Sequence, residues 1–223
     1  PYADYARTLD IDNAIHTVTY KEGGITFKRE YFMSYPDHVM VMRLTPDANE
    51  GKLSRIISLE SLHTDKVIAA DGNTITMTGY PTPVSGDKRV GDAWKNGLRY
   101  AQQLVVKNKG GKISVVDGAK LKVEDADEII VLMSAATNYV QCMDDSYCYF
   151  SEEDPLDKVR ATLHKVADKK YTSLLAAHQK DYHSLYDRMQ LNLGEQLEAP
   201  AATTDSLLKG MDANTNSEQD NQY

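Results

Sequence analysis

The chain has 223 residues, of which 41% are hydrophobic and 26% charged, a composition that fits one or two globular domains with a core. Its net charge of −8 and its scattered lysines and arginines predict no nucleic-acid binding, because a phosphate backbone would be repelled. The most apolar run, residues 129–136, is far shorter than the roughly 20 residues that cross a bilayer, so we expect no membrane span.

The first predicted element is a β-hairpin. Residues 14–20 and 25–35 alternate apolar and polar side chains, a period of two that one buried sheet face produces, with Phe32 as the exception. Gly23 and Gly24 between them supply the backbone freedom for a tight turn. The predicted inward row of the second strand is Ile25, Phe27, Tyr31, Met33 and Tyr35.

Further strands are predicted up to about residue 140. A turn at YPDH (35–38) separates the hairpin from them, since proline lacks an amide proton and Asp favours turns. The predicted strands are 39–44, 53–59, 74–80, 98–107, 112–116, 120–124 and 128–137. Short strands divided by Gly-rich turns, with no helix between them, predict an antiparallel β-sandwich.

Two amphipathic helices are predicted next. The first, 154–169, begins with Asp154 as its N-cap and Pro155 at the first helical position. Its predicted buried stripe is Leu156, Val159, Leu163 and Val166. The second, 171–194, is predicted to end at Gly194. Its predicted buried stripe is Leu175, Tyr182, Leu185, Tyr186 and Met189.

These patterns divide the chain into three segments. We predict a mainly β fold, an antiparallel sandwich, over residues 1–150, and a two-helix linker over residues 151–194. Residues 195–223 are polar and rich in Ala, Thr, Asn and Asp. They are predicted to be an extended linker or an ordered tail held by another domain.

Two cysteines, Cys142 and Cys148, lie six residues apart. This spacing is wider than that of redox or zinc pairs, and no second Cys/His pair completes four ligands. Two free thiols and a small loop-closing disulfide both fit the spacing, the disulfide only in an oxidising compartment.

The six histidines form no metal or catalytic motif. None lies in an HExxH pattern, and His178 and His183 are five residues apart, so they point to different sides of a helix. We predict that His178, with Asp181 or Tyr182, makes polar contacts where the helix meets the sandwich. No phosphate-binding glycine motif occurs either, so we predict no metal, nucleotide or other cofactor.

Two acidic segments resemble functional sites in part. The run 144–154 could supply paired carboxylates for glycoside hydrolysis, with Asp144 and Glu153 as candidates, but a solvated loop is the interpretation that we favour. Asp10 and Asp12 resemble the start of a calcium loop, yet the glycine and the distal glutamate of such a loop are missing. Turn formation is therefore expected at these two residues.

Trp94 is the one tryptophan and lies in a polar segment, SGDKRVGDAWKNG (85–97). An indole ring can stack on the apolar face of a sugar, and it can equally fix the conformation of its own loop by packing. A free-standing carbohydrate-binding module would use Trp94 together with neighbouring tyrosines. Both roles stay open from the sequence.

Several separate motifs resemble one enzyme family. Residues 9–45 contain LDIDNA, a GG hairpin, an REYF strand, a YPD turn and a VMRL strand. HQKDYHSLYDRMQLNLG (178–194) and TTDSLL (203–208) follow in matching order. Together with GLRYAQQL and DEIIVLMSAATNY, they resemble the N-terminal region of family 95 glycoside hydrolases over nearly the whole chain.

The resemblance implies a larger parent enzyme. Family members are mostly inverting α-L-fucosidases, some acting on α-L-galactosides, built from a β-super-sandwich, a helical linker, an (α/α)6 barrel and a C-terminal β-domain. Their catalytic residues lie in the barrel, so none is carried onto this chain. Because the sequence starts at Pro1 without a signal sequence and stops about where the first barrel helix should begin, we expect a non-catalytic piece of a longer protein.

The resemblance also implies partners and a location. The remainder of the parent, especially its barrel, is the expected partner, and glycan substrate would be bound through that parent. A periplasmic or secreted location is expected, which favours the Cys142–Cys148 disulfide. A sandwich without its opening strands should also expose sheet edges, so we expect some self-association.

Overall fold

The computed structural model describes residues 2–47, 52–81, 97–141 and 150–191. These residues form eleven strands and two helices. The strands are β1 (Ala3–Asp10), β2 (Ile15–Glu22), β3 (Ile25–Ser34), β4 (Val39–Pro46), β5 (Leu53–Ser58), β6 (Lys66–Asp71), β7 (Thr74–Gly79), β8 (Tyr100–Lys109), β9 (Lys112–Val116), β10 (Lys120–Ala126) and β11 (Glu128–Thr137). The helices are α1 (Pro155–Val166) and α2 (Tyr171–Tyr186). Residues 1–183 form one compact unit and residues 184–223 another.

Two antiparallel sheets build the first unit. The large sheet has eight strands in the order β1-β2-β3-β4-β11-β8-β7-β6, and the small sheet has three in the order β5-β10-β9. Every pair of neighbouring strands is antiparallel. The predicted fold class, an antiparallel β-sandwich followed by two helices, is confirmed. No helix among the described residues is long and apolar enough to cross a membrane.

The β2–β3 hairpin follows directly from its local sequence. Glu22 pairs with Ile25, so Gly23 and Gly24 alone form the connection. Both glycines have positive φ, 61° and 85°, which a two-residue type I′ turn requires and which a side chain would strain. The predicted hairpin is confirmed, together with all seven later strands.

Two strands, β1 and β6, were not predicted from the sequence. All eight residues of β1, ADYARTLD, are exposed. In β6, KVIAAD, only alternate residues are partly buried. Both strands form edges of the large sheet, where burial imposes little pattern on the side chains.

The large sheet is buried on both faces. Its sandwich face packs against the small sheet, and its helix face packs against α1 and the first half of α2. The core between the sheets is Val18, Tyr20, Phe27, Leu44, Leu53, Ile75, Leu104, Val106, Leu121, Val123, Ala126, Ile129 and Val131. The core under the helices is Phe32, Val39, Val41, Ala101, Leu132, Val159, Leu163, Val166, Tyr171 and Leu174.

Burial along β3 differs from the predicted single row. Phe27 is buried on the sandwich face, but Met33 and Tyr35 are 66% and 74% exposed because the small sheet does not cover this end of the strand. Phe32, the apparent irregularity, is buried on the helix face. The prediction is therefore wrong for Met33 and Tyr35, because at this end of β3 the covered face is the opposite one, where α2 packs on Phe32.

Helix α1 confirms its prediction. The Leu156 amide donates to Asp154 Oδ1 at 2.9 Å, and Pro155 occupies the first turn. Val159, Leu163 and Val166 are buried as predicted, whereas Leu156 is only partly buried.

Helix α2 departs from its prediction. It ends at Tyr186 rather than at Gly194. Its buried residues are Tyr171, Leu174 and His178, with Leu175 partly buried. The predicted stripe members Leu185 and Met189 are 63% and 81% exposed. The prediction is wrong there because the first half of the helix supplies the residues that pack on the sheet.

Candidate functional site

Four of the sequence-predicted site residues lie outside the described residues. These are Trp94, Cys142, Cys148 and Asp144. A sugar-stacking role for Trp94 and a disulfide between the two cysteines therefore stay predictions.

The described carboxylates near α1 are poorly suited to hydrolysis. An open cleft of about 880 Å³ lies between the ends of β6 to β8 and the start of α1, and its carboxylates are Asp65 and Asp154. Both residues are exposed, and Asp154 is used to cap the helix. Glu153 is exposed as well and pairs with Lys158 at 2.8 Å. Because a general acid for sugar cleavage needs a sheltered carboxyl, the described carboxylates of this cleft offer no acid and base pair.

Polar contacts join α2 to the turn between β1 and β2. His178 Nε2 lies 3.0 Å from the Ala14 carbonyl, and the Tyr182 hydroxyl donates to the Ile11 carbonyl at 2.5 Å. His178 is buried and stacks on Phe32 with ring centroids 4.9 Å apart. The predicted polar contact between helix and sandwich is confirmed for His178 and Tyr182, and their role here is structural.

Asp10 closes the β1–β2 turn. Its Oδ1 accepts hydrogen bonds from the Asp12 and Asn13 amides, both at 3.0 Å, and its Oδ2 accepts one from Asn13 Nδ2 at 2.8 Å. These hydrogen bonds, the Asn13 side chain first, lower the pKa of Asp10. Turn formation at these residues is confirmed. Within the part of the chain that the structure describes, no set of three or more His, Cys, Asp or Glu side chains could hold a metal ion.

A polar clamp fixes the connection between α1 and α2 to the helix face. Lys107 Nζ on β8 donates to the Ala167 and Lys169 carbonyls at 2.7 and 3.1 Å, which satisfies acceptors at the end of α1. Lys169 Nζ donates to Asp37 Oδ1 at 2.6 Å, and Ser34 Oγ donates to Asp37 Oδ2 at 2.7 Å. We call these five residues the linker clamp. It ties the β3–β4 turn and β8 to the helical hairpin.

The linker clamp predicts a pH-dependent stability. Burial alone would raise the pKa of Asp37, but the hydrogen bonds from Lys169 and Ser34 outweigh it and hold the pKa below its usual value. The contribution of Asp37 is therefore present above its unfolded pKa of about 3.9 and is lost as the pH falls through the lower folded value. We expect Asp37→Asn to reduce the free energy of unfolding by about 1.5–3 kcal/mol at pH 7, and by less near pH 3.

Urea unfolding at pH 7, 5 and 3 tests this prediction. Lys52→Met is the matched control, because its ion pair with Asp127 is about half exposed and should contribute less than about 1 kcal/mol. An Asp37→Asn deficit that stays constant or grows toward pH 3 would contradict the assigned charge contribution.

A second polar grouping, the arginine cluster, lies on the same helix face. Arg43 on β4 pairs with Glu128 on β11 through Nε, and its Nη1 lies 3.5 Å from Glu30 Oε2 on β3. Its guanidinium lies over the Tyr171 ring at 4.6 Å from the centroid. Burial would lower the pKa of Arg43, but the hydrogen bond and charge of Glu128 raise it above its usual value. Arg43 thus bridges the carboxylates of Glu30 and Glu128.

Tyr171 completes the arginine cluster. Its hydroxyl is buried and makes no hydrogen bond among the described residues. Burial first, and the nearby charge of Glu30 second, raise the pKa of Tyr171 to about 12. The cluster therefore joins three strands of the large sheet to the first residue of α2.

Comparison with known proteins decides the relationship. Residues 1–142, well over half of the chain, match the family described as glycosyl hydrolase family 65, N-terminal domain. The chain belongs to this family. The fold agrees with that assignment: a solved structure assigned as a kojibiose phosphorylase from the human microbiome matches 83% of this chain and 25% of its own, with a TM-score of 0.54 at 13% identity.

Two curated relatives of this family 65 N-terminal domain are fucosidases. Alpha-L-fucosidase 2 from Arabidopsis thaliana is 32% identical over 206 residues, which covers 86% of this chain and 24% of the relative. A protein assigned as alpha-fucosidase A from Aspergillus niger is 29% identical over 197 residues, which covers 85% of this chain and 23% of the relative. The chain thus spans about a quarter of the length of these relatives.

Neither the linker clamp nor the arginine cluster of this family 65 N-terminal domain was predicted from the sequence. Asp37 and Lys169 lie 132 residues apart, and Arg43 and Glu128 lie 85 apart, so no local pattern joins them. The available signal was a charged residue inside an apolar strand, Arg43 in VMVMRL. Such a residue predicts a buried ion pair but does not name its partner.

Proposed function

We propose that this chain is the non-catalytic N-terminal sandwich and helical linker of a larger, inverting α-L-fucosidase of the family 95 type. One observation carries the proposal: the chain aligns over more than four fifths of its length with fucosidases but covers only about a quarter of them. The exposed carboxylates of its open cleft also argue against chemistry within this chain.

The physical role that we propose is support. The linker clamp and the arginine cluster hold a helical hairpin against one face of a rigid sheet, and that hairpin would position the (α/α)6 barrel that follows. The remainder of the parent is accordingly the proposed partner, and fucosylated glycan would bind through the parent. We also propose a periplasmic or secreted location and some self-association of the isolated chain through its sheet edges.

A fucosidase assay tests the proposal directly. With an aryl α-L-fucoside or a fucosylated oligosaccharide, we expect no turnover by the 223-residue chain and clear turnover by the complete gene product, because enzymes exceed the uncatalysed rate by at least about a millionfold. NMR of the released sugar would show the inverted anomer. Aryl α-L-galactoside serves as the competing substrate.

Three variants sharpen the assay. Turnover by the chain alone that is abolished by Asp144→Asn or Glu153→Gln would contradict the proposal that this chain is non-catalytic. Binding of fucosylated glycans by the chain alone, lost in Trp94→Ala, would instead identify a carbohydrate-binding module.

A further inference from the structure

The open cleft beside the start of α1 brings together residues of four elements. Its volume is about 880 Å³, and it is lined by the approach to β6, the end of β7, the start of β8 and the first turn of α1. Gly79 on β7 pairs with Lys66 on β6 and with Tyr100 on β8, so the three strands meet at this end of the sheet. The Tyr80 amide donates to the Asp65 carbonyl at 2.9 Å, which holds these two residues next to each other. We call Asp65, Thr78, Tyr80 and Tyr100 the cleft residues.

Two tyrosines give the cleft an apolar surface. Tyr80 is 39% exposed, and Tyr100 is partly buried. Gly79 leaves the space that Tyr100 occupies, because a Cβ atom at this position would lie 2.8 Å from Tyr100 Oη. An exposed tyrosine ring can stack on the apolar face of a sugar while its hydroxyl stays available for hydrogen bonds.

The cleft also contains polar groups that the protein leaves without partners. The Asp65 carboxylate and the hydroxyls of Thr78 and Tyr80 make no hydrogen bond among the described residues. A carboxylate accepts several hydrogen bonds, and a hydroxyl both donates and accepts. A few polar groups of this kind beside an aromatic surface suit the adjacent hydroxyls of a sugar ring.

The positive groups of the cleft are held by the protein itself. Lys66 Nζ donates to the Ser61 and His63 carbonyls at 2.8 and 3.0 Å. Arg99 Nη2 donates to the Glu152 carbonyl at 3.2 Å. Because both cations bind backbone carbonyls and the acid without a partner is negative, the cleft favours an uncharged ligand over a phosphate or a sulfate.

We propose that the cleft binds an uncharged oligosaccharide. One sugar ring stacks on Tyr80, and two adjacent hydroxyls of that sugar donate to the Asp65 carboxylate. The inference goes beyond the proposed function, because it assigns a glycan contact to residues of this chain itself. It does not depend on whether the parent is a fucosidase.

An NMR titration of the isotope-labelled 223-residue chain with a neutral fucosylated oligosaccharide tests the inference. We expect saturable shift changes of the amides at residues 64–66, 78–80 and 99–101. Tyr80→Ala should weaken binding about three- to tenfold, because the stacking surface is lost. Asp65→Ala should weaken it at least about tenfold, because hydrogen bonds to a charged acceptor are lost. Tyr5→Ala is the matched control, since Tyr5 is 63% exposed on β1, at the opposite edge of the large sheet.

Three results would overturn the inference. The first is the absence of shift changes at the cleft residues at millimolar oligosaccharide. The second is binding that Tyr80→Ala and Asp65→Ala leave unchanged, including binding that is lost only in Trp94→Ala. The third is inorganic sulfate that shifts the same amides at a lower concentration than the oligosaccharide does, which would assign the cleft to an anion.

A fucosidase assay of the same sample separates this inference from the proposed function. Turnover by the chain contradicts the proposed non-catalytic role and leaves the binding result at the cleft residues unaffected. An inactive chain that binds no oligosaccharide contradicts only the inference about the cleft.

Discussion

Phe32→Ala is expected to lower the free energy of unfolding of the chain by about 3–5 kcal/mol, measured by urea unfolding. The Phe32 ring is 4% exposed, stacks on His178 at 4.9 Å between centroids and meets the Tyr171 ring edge-on at 5.8 Å. Its removal leaves a cavity between β3 and α2 and takes a ring neighbour from two aromatic side chains. Because α2 packs on the sheet through its first half, this cavity should also loosen the helix, seen as faster exchange of its amides.

The neighbouring residue provides the control. Met33 follows Phe32 directly but is 66% exposed on the opposite face, beyond the cover of the small sheet. Met33→Ala should therefore change the free energy of unfolding by no more than about 0.5 kcal/mol. Equal losses in the free energy of unfolding, or a larger loss for Met33→Ala, would contradict the assignment of Phe32 to the buried face and of Met33 to the exposed face.

Phe32 and Met33 also show what the sequence predicts about this fold. Alternation identified β3 as a strand, because a pleated backbone sends successive side chains to opposite faces. It could not identify which face is covered at each point, since that depends on where distant elements pack. The small sheet covers Phe27, whereas α2 covers Phe32. A single predicted inward row was therefore correct at one end of the strand and wrong at the other.

The two helices differ for a related reason. Helix α1 packs on the sheet, so its cap at Asp154 and most of its apolar stripe could be predicted locally, although it ends at Val166 rather than at residue 169. Helix α2 buries Tyr171, Leu174 and His178, a stripe that includes a histidine and an aromatic hydroxyl. A pattern search for apolar residues shifts such a stripe toward residues like Leu185, which is 63% exposed.

The polar groupings could not be predicted because their members come from separate elements. The arginine cluster joins Glu30 of β3, Arg43 of β4, Glu128 of β11 and Tyr171 of α2. Sequence order places these elements far apart, and only the strand order brings β4 between β3 and β11. Arg43 is accordingly the central residue, because it lies on the middle strand and can contact both neighbours at once.

Arg43→Met is expected to lower the free energy of unfolding by about 3 kcal/mol at pH 7. The change leaves the Glu128 carboxylate, 21% exposed, without the cation that it pairs with, and leaves Glu30, 14% exposed, with only its ion pair to Lys28 at 2.8 Å. Removing one partner from a buried ion pair costs about 3–5 kcal/mol, and the partial exposure of this cluster places it at the lower end. The lost contact with the Tyr171 face accounts for about 0.5–1 kcal/mol of that cost. Arg43→Lys should give an intermediate loss, since an ammonium keeps the charge but cannot bridge two carboxylates as a planar guanidinium does.

The pH dependence of the free energy of unfolding of Arg43→Met separates the contribution of the arginine charge from that of its packing. A carboxylate that has lost its cation stops costing free energy when it takes up a proton, so the deficit of the variant should shrink as the pH falls from 7 toward the ordinary titration range of glutamate, about pH 4. Adding Glu128→Gln to Arg43→Met should recover part of the loss at pH 7 for the same reason, measured by urea unfolding of both variants. A deficit that neither lower pH nor Glu128→Gln relieves would show that the arginine stem acts by packing alone. The cluster would then hold α2 on the sheet by contact area rather than by charge.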